Sequence, residues 1–211
     1  MGDRALGPHA LTGLGGSGLW TRALRRPGLP GLGHGRASGR TLLTTRSRCQ
    51  SVHTVLSWAE FAHARPDLAE AGRRLLYQFG VGLGFLATVR PDGGPRLHPM
   101  CPLVTEDALV GFLQPSPKRQ DLHRDGRYAL HCFPPDDNED AFMVSGRALL
   151  VKDPGRRQQA TAQFLAERQL TTTPPSFEAQ SLFEFYLERC LWTATSGHGD
   201  WNPQHTIWRA S

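Results

Sequence analysis

Lysine is almost missing from this 211-residue chain, which holds Lys118 and Lys152 against 22 arginines. Cysteine is also scarce. Cys49, Cys101, Cys132 and Cys190 lie far apart with no C-x-x-C spacing, which argues against a zinc or disulfide framework and for reduced, mostly buried thiols. No apolar run approaches the roughly 18 residues of a membrane span, and no signal-peptide h-region is found. A cytoplasmic protein without a membrane partner is therefore expected. Acidic residues are missing from one end only: residues 1–51 carry eight arginines, no lysine and the single acid Asp3, a net +7. The rest holds 16 Lys+Arg against 18 Asp+Glu, a net −2, so the basic balance belongs to the leader and the body gives no reason to expect nucleic acid. Paired carboxylates, a Ser-His-Asp set and a Walker loop are all lacking. Gly80-Val81-Gly82-Leu83-Gly84 precedes a strand instead of linking a strand to a helix, so it is a helix stop and not a dinucleotide fingerprint.

The leader has 11 glycines in its first 50 residues and no apolar period, so disorder is expected there. Two readings stay open. An Arg-rich, acid-poor transit peptide is one. The other, favoured because no clean amphipathic period is present, is an upstream extension left by a misplaced start, with Val52 or Val55 as alternative initiation points. Residues 52–211 are expected to form one domain.

Within that body, Ser57-Trp58-Ala59-Glu60 matches a capping box, and a second helix opens at Pro66 and runs through Leu68, Ala71, Leu75, Leu76 and Phe79 to Gly80. That helix is expected to cap a barrel or pack on a partner subunit. Phe85–Val89, the turn Pro91-Asp92-Gly93-Gly94 and Pro95–Val104 read as a hairpin, and Ala108–Leu113 as a further strand. Ser116 is placed as the N-cap of a short basic helix through Lys118, Arg119, Leu122 and His123, and Arg127–Phe133 returns as a strand. Ala141–Val151 reads as a long strand with a bulge at Gly146, Asp153-Pro154 starts a helix, and Thr171–Pro175 is a break. Leu182–Thr193 is helix-compatible in its glutamates, but its aromatics two apart favour a strand, and His205–Arg209 closes the fold. The expected class is mainly β with helices (α+β), a six-stranded antiparallel split β-barrel with flanking helices.

Strands feeding a turn with a hydroxyl, a lysine and helix-start N–H groups suit a phosphate. The order strand, D-G turn, strand ending in apolar-Pro-apolar, strand, Ser116-Pro117-Lys118, short helix, strand resembles the FMN-binding split β-barrel family, whose founding member is pyridoxamine 5′-phosphate oxidase. The resemblance covers roughly Ser57 to Ser211. It implies an FMN-dependent homodimer acting on a small-molecule substrate, with FMN at the dimer interface and with F420 or haem as the cofactors of other relatives. It implies that Ser116 and Lys118 meet the cofactor phosphate, that Arg96, Leu97, His98 and Pro99 lie along the ring and ribityl chain, that Leu113 and Gln114 stand beside it, and that Trp192 is the aromatic set against the flavin. For each, a bland role competes: a solvated helix face for Lys118, a hydrogen-bonded barrel histidine for His98, a strand cap for Gln114. His198, His205 and Arg209 are further candidates for a substrate pocket.

The chain departs from the vitamin B6 oxidases at Pro117, where they carry arginine, and at Asp140-Ala141, where they carry Arg-Gln. Their basic C-terminal signature is not found intact. A flavin oxidoreductase that is not a true B6 oxidase is the leading expectation, with no catalytic residue and no metal ligand assigned. An F420-dependent reductase would use Arg119, Arg124 and Arg127 as a basic groove for the cofactor's polyglutamate tail. A non-catalytic haem or flavin carrier would draw on His98, His131, His198 or His205.

Overall fold

The computed structural model describes residues 54–211, so the expectations for the leader, and Cys49 with it, lie outside the described residues. The capping box is formed: Ser57 N donates to Glu60 Oε2 at 2.7 Å and Glu60 N to Ser57 Oγ at 3.3 Å, opening α1 (Trp58–Ala64). Helix α2 (Pro66–Leu76) starts on its proline and ends at Tyr77, short of the expected Gly80. It buries Leu68, Leu75 and Leu76 against the sheet described next, packing on its two longest strands.

That sheet has eight strands: β1 (Gly84–Val89), β2 (Pro95–Met100), β3 (Pro102–Val104), β4 (Leu109–Leu113), β5 (Arg127–Cys132), β6 (Ala141–Leu150), β7 (Ser181–Ala194) and β8 (Gln204–Arg209). Its order is β2-β1-β5-β6-β7-β4-β3, with β8 also paired to β7, and every pairing is antiparallel. Helices α3 (Pro117–Arg124) and α4 (Pro154–Glu167) interrupt it. The class is α+β as expected, but the count of six is corrected to eight for two reasons. The run Pro95–Val104 breaks at Cys101, leaving β2 and β3 at opposite ends of the path; one residue joins the two edges, so the sheet must curl into a half-barrel to bring them together. The free side of β7 is also shared, with β4 on 181–184, β8 on 189–194 and a Leu56 bridge to Leu187 between them.

The expected bulge is present. Register shifts between Ser145 and Gly146, and a Cβ on Gly146 would stand 2.1 Å from the Tyr186 carbonyl oxygen, so only glycine fits the bend. Gly82 plays the other close-packing role, with the Pro102 carbonyl 1.9 Å from where its Cβ would be, beside the corner that joins β2 to β3. The segment 181–194 is a strand, its aromatics Phe183 and Phe185 buried.

Trp58, Phe61, Phe142, Phe185 and Leu187 sit fully buried in the main core. Each such side chain contributes about 1.5–3 kcal/mol relative to exposure. A smaller cluster of Leu103, Val110, Ala160 and Leu182 joins α4 to β3 and β4, with Phe112 and Phe164 at its margin. Cys132 and Cys190 are buried free thiols as expected, whereas Cys101 is exposed at the corner. No helix among the described residues is long and apolar enough to cross a membrane.

Candidate functional site

Proline at the first position of α3 fixes its entry, and Ser116 takes the extended N-cap conformation. Its hydroxyl, however, donates to Gln114 O at 2.9 Å and leaves the first turn of the helix uncapped by any side chain. One residue into α3, Lys118 reaches across to β2, and its Nζ donates to Pro99 O at 2.8 Å. Half-burial there lowers the Lys118 pKa, opposed by the nearby Cys101 thiol, and the lysine is in no ion pair among the described residues. The ammonium and the amides of the helix start therefore form a positive corner with no anion of the protein's own.

This corner is one wall of a cleft of about 530 Å³. His98, Pro99, Met100 and Cys101 bring in the β2–β3 corner, Phe112 to Gln114 the end of β4, and Pro115 to Lys118 the helix start. Across from them lie Phe164 and Arg168 at the end of α4 and Pro174, Ser176 and Gln180 from the segment before β7. Three aromatic rings tie the two sides together, with Phe177 4.5 Å from Phe112 and 4.9 Å from Phe164 between centroids. Two arginines pin the 177–181 segment by its backbone: Arg157 donates to Gln180 O at 3.0 Å and Arg119 to Ala179 O at 2.8 Å.

Of the nine residues predicted to meet the cofactor, six line this one cleft: His98, Pro99, Leu113, Gln114, Ser116 and Lys118. The other three do not. Leu97 points to solvent with 63% of its surface exposed. Trp192 packs on the main core with its indole N–H buried and without a partner among the described residues. Arg96 turns away to Asp121, its Nε 2.7 Å from the carboxylate. Asp121 is 2% exposed and also accepts from Thr88 at 2.9 Å and Arg124 at 3.2 Å. Burial raises its pKa, but the three hydrogen bonds together outweigh that and hold it below the ordinary carboxylate value.

The basic groove expected of Arg119, Arg124 and Arg127 is not gathered either. Arg124 is held by Asp121 and the Val89 carbonyl, and Arg127 by Asp125 at 2.6 Å. Among the four candidate histidines only His98 lines the cleft; His131 meets Cys132 O at 2.6 Å, His198 meets Asp136 O at 3.2 Å and His205 meets Thr193 Oγ1 at 2.9 Å. Two other hollows, of about 430 and 710 Å³, contain none of the nine residues predicted to meet the cofactor, though the larger takes in Arg209 beside Arg189.

Sequence reading missed Arg168. Both its Nη atoms are buried without a hydrogen-bond partner among the described residues, and its guanidinium lies 4.1 Å over the Phe164 ring. The available signal was positional: an arginine at the end of a helical period, just before the 171–175 break.

No family model matches the chain, and no curated protein matches it. Among solved structures it is similar to a heme-binding protein from Mycobacterium smegmatis, at 18% identity over 67% of this chain and 58% of that one, with a TM-score of 0.49. It is also similar to a pyridoxamine 5′-phosphate oxidase-related, FMN-binding protein from Nostoc punctiforme, at 16% identity over 72% and 91% with a TM-score of 0.48. An F420 reductase is a third, at 20% identity over 56% and 94% with a TM-score of 0.45. At TM-scores below 0.5 these likenesses carry no function over to this chain.

Proposed function

We propose that this chain is an FMN-dependent oxidoreductase of the pyridoxamine 5′-phosphate oxidase-like kind, acting on a small organic substrate other than a B6 vitamer. The observation that carries the reading is the gathering of His98, Pro99, Gln114, Ser116 and Lys118 around one cleft that has cations and no carboxylate on its wall. FMN, when bound, supplies hydride chemistry; the protein's part is to hold, orient and enclose it.

The residues present fit such a group. Lys118 and the uncapped amides of α3 offer a phosphate a point charge and N–H donors, at the cost of a single carbonyl partner for the lysine. The Ser116 hydroxyl reaches the same group by giving up its bond to Gln114 O. His98 offers a ring nitrogen at the cleft rim. Pro99 sets the backbone carbonyl that keeps Lys118 in place.

A second copy of the chain completes the site in this reading. Strand β2 is an edge whose Leu97, His98 and Pro99 are exposed, an apolar and aromatic strip beside the cleft that a dimer would cover. Sedimentation of the purified full chain is expected to give a dimer, and a monomer at micromolar concentration removes that element.

The test of the cofactor is direct. Full-length protein, purified without added cofactor, is examined by visible spectrum and by mass spectrometry of the released ligand. FMN supports the proposal. A deazaflavin mass or a Soret band replaces FMN by F420 or haem, and a colourless protein that takes up none of the three overturns the reading of the cleft.

A further inference from the structure

Three backbone carbonyls of the 177–181 segment, those of Phe177, Ala179 and Gln180, are each taken up by an arginine. Arg119, the residue after Lys118 on α3, donates through one Nη to Ala179 O at 2.8 Å and to Ser181 Oγ at 3.4 Å. Arg157 on α4 donates to Gln180 O at 3.0 Å and to Phe177 O at 3.4 Å, with its guanidinium 5.4 Å from the Phe112 centroid and 5.9 Å from that of Phe177. Bonds from Phe177 N to Pro174 O and from Gln180 N to Phe177 O close the segment on itself, and the Phe177 side chain is 1% exposed. Strand β7 begins only at Ser181, so residues 177–180 owe their place to these holds and not to a sheet. Connecting segments are ordinarily the mobile parts of a fold, and this one is anchored from two helices.

The residue so mounted is Gln180. It lines the cleft across from the Ser116–Lys118 turn, and every hydrogen bond it makes among the described residues runs through its backbone, which leaves the carboxamide for the cleft. A carboxamide sets an N–H donor beside a C=O acceptor and carries no charge. Its match is a ring edge with N–H next to C=O, and a rigid mount is what such a two-bond contact needs. We propose that Gln180 is a ligand-binding residue of the cleft that reads an imide- or amide-type ring edge, and that Arg119 is its positioning residue. Arg119 then serves the far wall and not the ligand's phosphate, since its guanidinium is spent on Ala179 O and Ser181 Oγ. The inference rests on the reading of this cleft as a flavin site and deepens it: flavin and deazaflavin rings carry such an edge, and haem does not.

Dissociation constants for FMN and riboflavin, measured on the full-length chain and on Gln180→Leu, Arg119→Met and Lys118→Ala, test this. The ring edge is common to both flavins, so Gln180→Leu is expected to weaken both alike, by about three- to tenfold, the effect of one or two neutral hydrogen bonds. Arg119→Met is expected to weaken both by about threefold and, without any ligand, to raise deuterium uptake in 177–181 while the rest of the chain stays at the parent level. Lys118→Ala should weaken FMN alone. A loss confined to FMN in Arg119→Met makes Arg119 a phosphate cation and overturns the positioning role, as does an uptake that rises throughout the chain or nowhere. Unchanged affinity for both flavins in Gln180→Leu overturns the binding role while leaving the flavin reading standing. A parent protein that takes haem, or no cofactor at all, removes both readings. One that takes F420 upholds the proposal if Gln180→Leu weakens F420 by a like factor and overturns it if not. Should Gln180→Leu fail to fold, Gln180→Glu keeps the shape without the N–H donor, and an unchanged flavin affinity there counts against the proposal.

Discussion

Two groups of cations flank helix α3 and end in opposite conditions. On one side Arg96 and Arg124 converge with Thr88 on the buried Asp121 carboxylate, so their charge is answered within the protein. On the other, Lys118 has one carbonyl and no ion pair among the described residues, while Arg168 lies over an aromatic ring with the Glu167 carboxylate 3.6 Å away. Burial is partial in both groups, so burial does not separate them. The presence of an internal anion does: the Asp121 knot is structure, and Lys118 is what a ligand would complete.

The sharpest break in that contrast is expected at the knot. Asp121→Ala leaves two guanidinium groups without their carboxylate and should cost about 3–5 kcal/mol in urea unfolding, the typical loss for a buried pair deprived of one partner. Its pH signature follows from the sign of the shift. The Asp121 pKa lies below its ordinary 3.8 in the folded state, so its contribution is fully present above that value and is lost as pH falls through the lower folded one. Asp121→Asn should therefore be weakened at neutral pH and flatten the acid limb of the stability profile.

Lys118→Ala should do the reverse, costing about 1 kcal/mol of stability but weakening FMN by about tenfold or more. Because burial lowers the Lys118 pKa, FMN is also expected to be released as pH rises through a value below 10.5, while riboflavin, which has no phosphate, is not. Ser116→Ala should lose FMN by a few-fold only, about one neutral hydrogen bond. The smallest effect is expected at the base of Arg168. Gln169 holds a left-handed φ of 53° that suits glycine, so Gln169→Gly should raise stability by about 0.5–1 kcal/mol, read as a small rise in Tm.

Much of this layout was legible in the sequence because it is local. The Ser57 capping box, the Gly146 bulge, the Ser116–Lys118 helix start and the 181–194 strand are each written in a few adjacent residues. What was not legible depended on pairing across the chain. The split at Cys101 was hidden because residues 95–104 alternate well enough for one strand, and only the separate partners β1 and β4 divide them. Arg96 was misplaced for the same reason: nothing near it announces Asp121, 25 residues on. Arg168 escaped because its place on the cleft wall depends on how the end of α4 packs, which no run of residues can display.

The central claim is that Lys118 and the start of α3 hold a phosphate, and the comparison of FMN with riboflavin tests it most directly. Dissociation constants for both flavins are measured on the full-length chain and on Lys118→Ala. The account predicts that FMN binds the parent about tenfold or more tighter than riboflavin and that Lys118→Ala removes most of the difference. Equal affinities in the parent protein, or a preference for FMN that survives in Lys118→Ala, would contradict it.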